Sequence, residues 1–302
     1  MSRSDRRRGM VLVTVLWTIA LCSALAMAAA VSFRSFAGIA AIDRDRVQAD
    51  ALLTAGLEGA AGVAMGWPDT PLLDRTASFE LSTGTVHAEI NDEGGRIDIG
   101  KAPADLLAGL LLSIGAPPSQ ADTVARAIVS RRGGDRDQSD TTRPDTTRPD
   151  TTRPSVSVAS AQQPDESFFT DVGQIAEVPG MKPEWVSAIR ALTTVFGAET
   201  VNPLTAPAGV IASLPGVDKG RLQAFLAARR GTPNDPERLG TILGAGQRFL
   251  VALPQQVASV RLEATLADGY ATAARAVIVL LPQDQQPYRV LVWTPLAASA
   301  VP

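Results

Sequence analysis

From Met10 to Phe33 the chain carries no charged residue. The run, MVLVTVLWTIALCSALAMAAAVSF, follows Arg3, Arg6, Arg7 and Arg8, with Asp5 the one acid before it. A helix of this length rises about 36 Å, enough for the hydrocarbon layer of a bilayer with some tilt. The arginines on its N-terminal flank predict a cytoplasmic N-terminus, with the remainder of the chain on the other side. Two readings open here. The small residues of ALAMAAA offer a cleavage site, as in a secretory signal. Beyond Phe33, however, a helical pattern continues: Ile39, Ile42, Leu53, Leu57, Ala60, Ala61 and Ala64 recur at three- and four-residue steps, and Pro68 follows. This spacing predicts one helix from about Met10 to Gly66, roughly 85 Å long, with its second half laying a narrow alanine-rich face on a globular domain. A disposable signal does not continue this way.

With 302 residues, 45% of them hydrophobic, the chain can build one large domain or two smaller ones. A net charge of -3 gives no global field for nucleic acid. The single cysteine, Cys22, lies in the apolar run, so no internal disulfide forms. The single histidine, His87, sits between Val86 and Ala88 in a strand-like stretch, which assigns it a surface or cross-strand role and removes most triad and histidine-metal schemes. Carboxylates pair at Asp43 and Asp45, Asp92 and Glu93, Asp135 and Asp137, and Asp165 and Glu166. Such pairs can bind calcium or act as acid and base, but no loop of matching oxygen ligands accompanies them. They read as solvated turns and helix salt bridges, with calcium the remaining option and no cofactor required. Gly94 and Gly95 lack the spacing and following lysine of a phosphate loop. Nothing points to an enzyme.

Past Pro68 the stretches ASFEL and GTVHAEIND alternate as strands, and the Gly94-Gly95 pair between Ile90 and Ile97 predicts a further hairpin. VASVRLEATLAD, ATAARAVIVLLP and PYRVLVWTP predict three more strands near the C-terminus. Between the two sets the chain is helical. Gly115 and the Pro117-Pro118 pair divide one pair of helices, and VPGM (Val178 to Met181) and LPGV (Leu214 to Val217) divide two more. At these turns Pro179, Gly180, Pro215 and Gly216 supply the proline and the left-handed glycine that end one helix and begin the next. The unit DTTRP occurs three times, from Asp140, Asp145 and Asp150, in a segment too polar and proline-rich for a core. Helix, strands, helical interruption and strands again give an α+β order.

The ordered set RRRGMVLVTVLW, DEGGRIDI, VPGM, VNP and LPGV resembles the K-type minor pseudopilins (GspK family) of type II secretion systems, which are type IV pilin-like proteins. The resemblance implies a pilin-like fold, with a long N-terminal helix and antiparallel sheet plus a large inserted all-α domain with helix-hairpin-helix-like turns. It divides the chain into a leader over 1–9, the helix over 10–66, first strands over 67–100, the inserted domain over 101–247 with the repeat loop at 133–167, and last strands over 248–302. It further implies cleavage by a prepilin peptidase between Gly9 and Met10, methylation of Met10, and an assembly role for Thr14. Thr14 stands where major pilins carry glutamate, in keeping with a subunit that has nothing further out to pair with. The implied location is the inner membrane, with the C-terminal domain in the periplasm. The implied partners are I- and J-type minor pseudopilins, the major pseudopilin, the prepilin peptidase and the inner-membrane secretion platform. The implied role is to cap and prime the pseudopilus tip. The alternative is a membrane-tethered helix-hairpin-helix protein that binds DNA phosphates through Lys182, Lys219, Arg221, Arg229 and Arg230. The negative total charge favours the reading without nucleic acid.

Overall fold

Helix α1 runs unbroken from Arg3 to Gly66; no proline precedes Pro68 to interrupt its hydrogen-bond ladder. The computed structural model describes residues 3–66, 71–133 and 169–297, save 233, 253 and 255, and side chains within α1 only for 15–30, 38 and 40–66.

The buried face of α1 comprises Ala49, Leu52, Leu53, Leu57, Ala60, Ala61 and Ala64. Small residues are needed because the helix lies close against the sheet. A Cβ at Gly56 would stand 2.5 Å from Val86 Cγ1, and one at Gly59 2.6 Å from Phe79 Cε1. The buried stripe begins later than its periodicity predicts. Ile42 is 63% exposed, because α1 has passed beyond the sheet by that point, and Ile39's side chain lies outside the described residues.

The sheet has five strands: β1 (Arg75–Leu81), β2 (Gly84–Asp92), and, after a long interruption, β5 (Val257–Leu266), β6 (Ala271–Leu280) and β7 (Tyr288–Leu296). Their order is β1-β2-β5-β6-β7, each neighbour antiparallel. Val86, Ala88 and Ile90 of β2, Val260 and Leu262 of β5, and Ala276 and Ile278 of β6 share a core with α1. His87 faces outward and lies across from Ser78, whose hydroxyl is 2.8 Å from Nδ1. Strand β7 forms one edge. Its pairing with β6 shifts between Val277 and Ile278, and Pro295 lies within it. Both features blunt an edge against pairing with other chains.

The hairpin predicted at Gly94 and Gly95 does not form. The chain turns through a 3-10 helix at Glu93–Gly95 and leaves the sheet. Strand β3 (Ile97–Asp98) then pairs in parallel with β4 (Thr193–Thr194), far along the chain. Between β3 and β4 lie α2 (Ala104–Ser113), α3 (Pro118–Gly133), a 3-10 helix (Val172–Glu177) and α4 (Pro183–Ile189). After β4 come α5 (Ala208–Ser213), α6 (Lys219–Gly231), α7 (Pro236–Leu243) and a 3-10 helix (Gly244–Phe249). These elements enclose a second core around Leu106, Leu110, Ile128, Ile211, Phe225 and Leu243. The first arm at VPGM is therefore a 3-10 helix, where an α-helix was expected. Its start is fixed by a reciprocal cap between Asp171 and Gln174. Apart from Gly133, the repeat loop at 133–167 lies outside the described residues, as do the carboxylate pairs 135/137 and 165/166.

Candidate functional site

The first half of α1 and the second differ in what their apolar side chains touch. Along 15–30, Val15, Leu16, Trp17, Ile19, Leu21, Leu25 and Met27 are all between 51% and 74% exposed. Cys22 is exposed too. One helix thus buries a stripe on the sheet at its C-terminal end and presents uncovered apolar surface all round at the other. Among the described residues no helix is long and apolar enough to cross a membrane. The side chains at 10–14 and 31–33, which complete the uncharged run, lie outside them. Gly9, Met10 and Thr14 belong to α1, and their side chains likewise lie outside the described residues.

The two proline-glycine turns share one geometry. Met181 N–H donates to the carbonyl of Val178, and Val217 N–H to that of Leu214, each at 3.1 Å. Gly180 has φ +84° and Gly216 φ +81°. Proline second and a positive-φ glycine third make both type II turns. A side chain at either glycine would be crowded: its Cβ would stand 3.2 Å from Val124 Cγ2 at Gly180 and 3.2 Å from Ala245 Cβ at Gly216.

Three of the basic residues around these turns, Lys182, Arg221 and Arg229, make contacts within the protein. Arg229 Nη1 donates to the carbonyls of Ala206 (2.6 Å) and Pro203 (3.3 Å), and Arg221 Nη1 to that of Leu243 (3.2 Å). Burial lowers the pKa of Arg229, opposed by the charge of Asp74. Lys182 lies 4.6 Å from the ring centroid of Trp185. At the N-terminus of α6 the Asp218 carboxylate accepts from Arg221 N–H at 2.8 Å. A carboxylate therefore occupies the place where a phosphate would bind.

A buried polar junction joins the sheet to the helical elements. Asp92, at the end of β2, is 5% exposed and Glu93 1%, so this pair is not a solvated turn. Asp92 Oδ2 accepts from Thr205 Oγ1 (2.6 Å) and Asn202 Nδ2 (3.3 Å), and Oδ1 from Gly94 N–H (3.0 Å). Asn202 N–H in turn donates to the Gly94 carbonyl at 2.8 Å. Glu93 Oε1 faces the guanidinium groups of Arg96 (3.2 Å) and Arg275 of β6 (3.4 Å). Asp98, fully buried, accepts from Gly100 N–H at 2.7 Å and Gly197 N–H at 2.9 Å. Burial raises the pKa of both Asp92 and Asp98, and the hydrogen bonds they accept oppose it. By contrast, Asp43 is exposed and Asp45 half-buried on α1.

The segment DEGGRIDI and the triplet VNP are thus brought together, with Asn202 as the meeting point. Asp98, Thr205, Gly197 and Arg275 were not singled out in the sequence. One local signal was present: at Asp92, Asp98 and Asp171 a glycine follows two residues on, and in each case the carboxylate accepts that glycine's N–H. Among the described residues no three or more His, Cys, Asp or Glu side chains group closely enough to hold a metal ion.

No family model matches the chain, and no curated protein matches it significantly. Among solved structures it is similar to a chain of the crystal structure of the GspK-GspI-GspJ complex from the enterotoxigenic Escherichia coli type 2 secretion system. The TM-score is 0.57 at 14% identity, covering 85% of this chain and 98% of that one. At this identity the likeness is one of fold: a long helix on an antiparallel sheet, with helical elements between its strands, as the resemblance implied.

Proposed function

We propose that the protein is a K-type minor pseudopilin that caps and primes the pseudopilus tip of a type II secretion system. The observation that carries the proposal is the division of α1, whose second half is seated on the sheet while the mostly apolar side chains of 15–30 are exposed. A helix of this kind suits lateral packing among like helices within a bilayer and then within a fibre. Arg3, Arg6, Arg7 and Arg8 orient it with the N-terminus in the cytoplasm and the sheet in the periplasm. In this reading the leader is cut after Gly9, Met10 is methylated, and Thr14 leaves the new terminus without a carboxylate partner. The helical elements between β2 and β5 enlarge the head, so that a further subunit cannot stack beyond it. I- and J-type minor pseudopilins are its neighbours, with the major pseudopilin below and the assembly platform at the membrane. The role is structural and needs no chemical step.

The proline-glycine hairpins serve in this reading as scaffold rather than as a DNA site, since Arg221 and Arg229 each turn Nη1 to a backbone carbonyl and Asp218 caps α6. The test is the mature N-terminus, read by mass spectrometry on membrane fractions with and without the prepilin peptidase. A methylated Met10 that depends on the enzyme is expected. A mature end near Ala30 in soluble periplasmic protein would overturn the reading.

A further inference from the structure

Between the exposed apolar stretch of α1 and the part seated on the sheet lies a neck. Gly38, Ala40 to Arg44, Arg46 and Val47 are exposed, Asp45 and Gln48 are half-buried, and full burial begins at Ala49. Gly38 stands inside the helix, and a Cβ added there would meet nothing within 4 Å. Among the described residues no ion pair joins Asp43, Arg44, Asp45 or Arg46 to a partner. Most helices in proteins are held by the packing of one face, and side-chain pairs add a smaller support. The neck has little of either, and it contains glycine, the weakest helix former after proline. The other glycines of the seated part differ. Gly56 and Gly59 stand against Val86 and Phe79, and Gly62, although open, lies between the buried Ala61 and Ala64.

We propose that Gly38 is a hinge at which the sheet and the helical elements tilt relative to the first part of α1. The backbone ladder opens over 38–47 while the seat from Ala49 onward stays closed. Local openings of this kind draw on segments with few buried contacts, and helices bend where a small residue leaves the ladder without support. The seated stretch cannot open in the same way, because parting it from the sheet exposes Leu52, Leu53 and Leu57 to water. The inference concerns how two stretches of one helix are joined, and it stands or falls separately from the proposed tip role.

The experiment uses the full chain in detergent micelles, with nitroxide labels on the native Cys22 and on Ala51→Cys, both exposed positions. A straight helix sets these residues about 44 Å apart. Double electron-electron resonance should show a second population at shorter separation. Gly38→Ala should reduce that population about fourfold, the glycine-to-alanine difference in helix propensity. The open space around Gly38 lets the added methyl fit without disturbing the fold. Gly62→Ala, outside the labelled span, should leave the distances as they are. Hydrogen exchange on the unlabelled chain gives an independent reading: amides over 40–47 should exchange faster than those over 52–64, and Gly38→Ala should slow the first group about fourfold without touching the second. A single narrow distance in the wild type, or a shorter population undiminished in Gly38→Ala, would overturn the inference. So would exchange over 40–47 as slow as over 52–64.

Discussion

Thr205 Oγ1 donates a 2.6 Å hydrogen bond to Asp92 Oδ2 across 113 residues of chain, with both residues buried. This bond ties the last residue of β2 to the loop before α5. Thr205→Val keeps the shape and removes the donor, leaving a buried carboxylate oxygen short of a partner. The expected loss is about 1–3 kcal/mol of stability. Urea denaturation followed by circular dichroism should show the lowered midpoint, and Thr205→Ser should recover most of it. An unchanged midpoint in Thr205→Val would mean the junction does not stabilise the fold.

The same burial gives the junction a pH dependence of definite sign. The pKa values of Asp92 and Asp98 are raised above 3.8 in the folded protein. The folded state therefore binds more protons than the unfolded one between 3.8 and the raised values, so stability falls as pH rises through that window. The contribution is fully present below 3.8 and lost above the folded values. Against the wild type, Asp92→Asn with Asp98→Asn should flatten this part of the stability profile. Equal slopes from about pH 4 to 7 in the two proteins would refute it.

Gly180 and Gly216 hold positive φ at matched positions of the two turns. Alanine at either is disfavoured by about 1–2 kcal/mol for the left-handed backbone alone. The 3.2 Å approaches to Val124 and Ala245 add crowding. Pro179→Ala and Pro215→Ala keep the glycine and free the unfolded chain, at a cost of about 0.4–1 kcal/mol, with Pro215→Ala also losing the ring's packing over Gly109 of α2. Thermal melts of the four variants should fall into these two classes. If the glycine variants melt with the proline ones, the turns are not set by glycine.

What was legible in the sequence was whatever repeats locally. The alternation of VASVRLEATL and ATAARAVIVL identified β5 and β6, and the three- and four-residue steps identified the seat of α1 from Leu53 onward. Ile42 misled, because periodicity continues after the sheet has ended. The Gly94-Gly95 pair misled for a different reason. A glycine pair permits a hairpin, but here Gly95 backs onto Thr205, where a Cβ would stand 2.5 Å from the carbonyl oxygen. That approach depends on residues more than a hundred positions away. Likewise the carboxylate pair at 92 and 93 looks like any surface turn until Asn202, Thr205 and Arg275 are placed around it. The Asp-x-Gly spacing, which was not read as a signal, carries the local half of that arrangement and none of the distant half.

The exposed apolar stretch of α1 carries the most direct test of the membrane reading. Leu21 is 68% exposed in the middle of the uncharged run, with no protein surface over it. If this helix sits in lipid, Leu21→Arg places a charge near the bilayer centre at a cost of about 3 kcal/mol, which shifts partitioning by roughly a hundredfold. The variant should then be released by alkaline carbonate in a larger fraction than the wild type. Val47 supplies the control. It is equally exposed, at 68%, on the same helix but beyond the run and beside the sheet-covered stripe. Val47→Arg should leave membrane retention untouched, since arginine there meets water. Were both variants released alike, or both retained alike, the two halves of α1 would not differ in their surroundings, and the anchor would have to lie elsewhere.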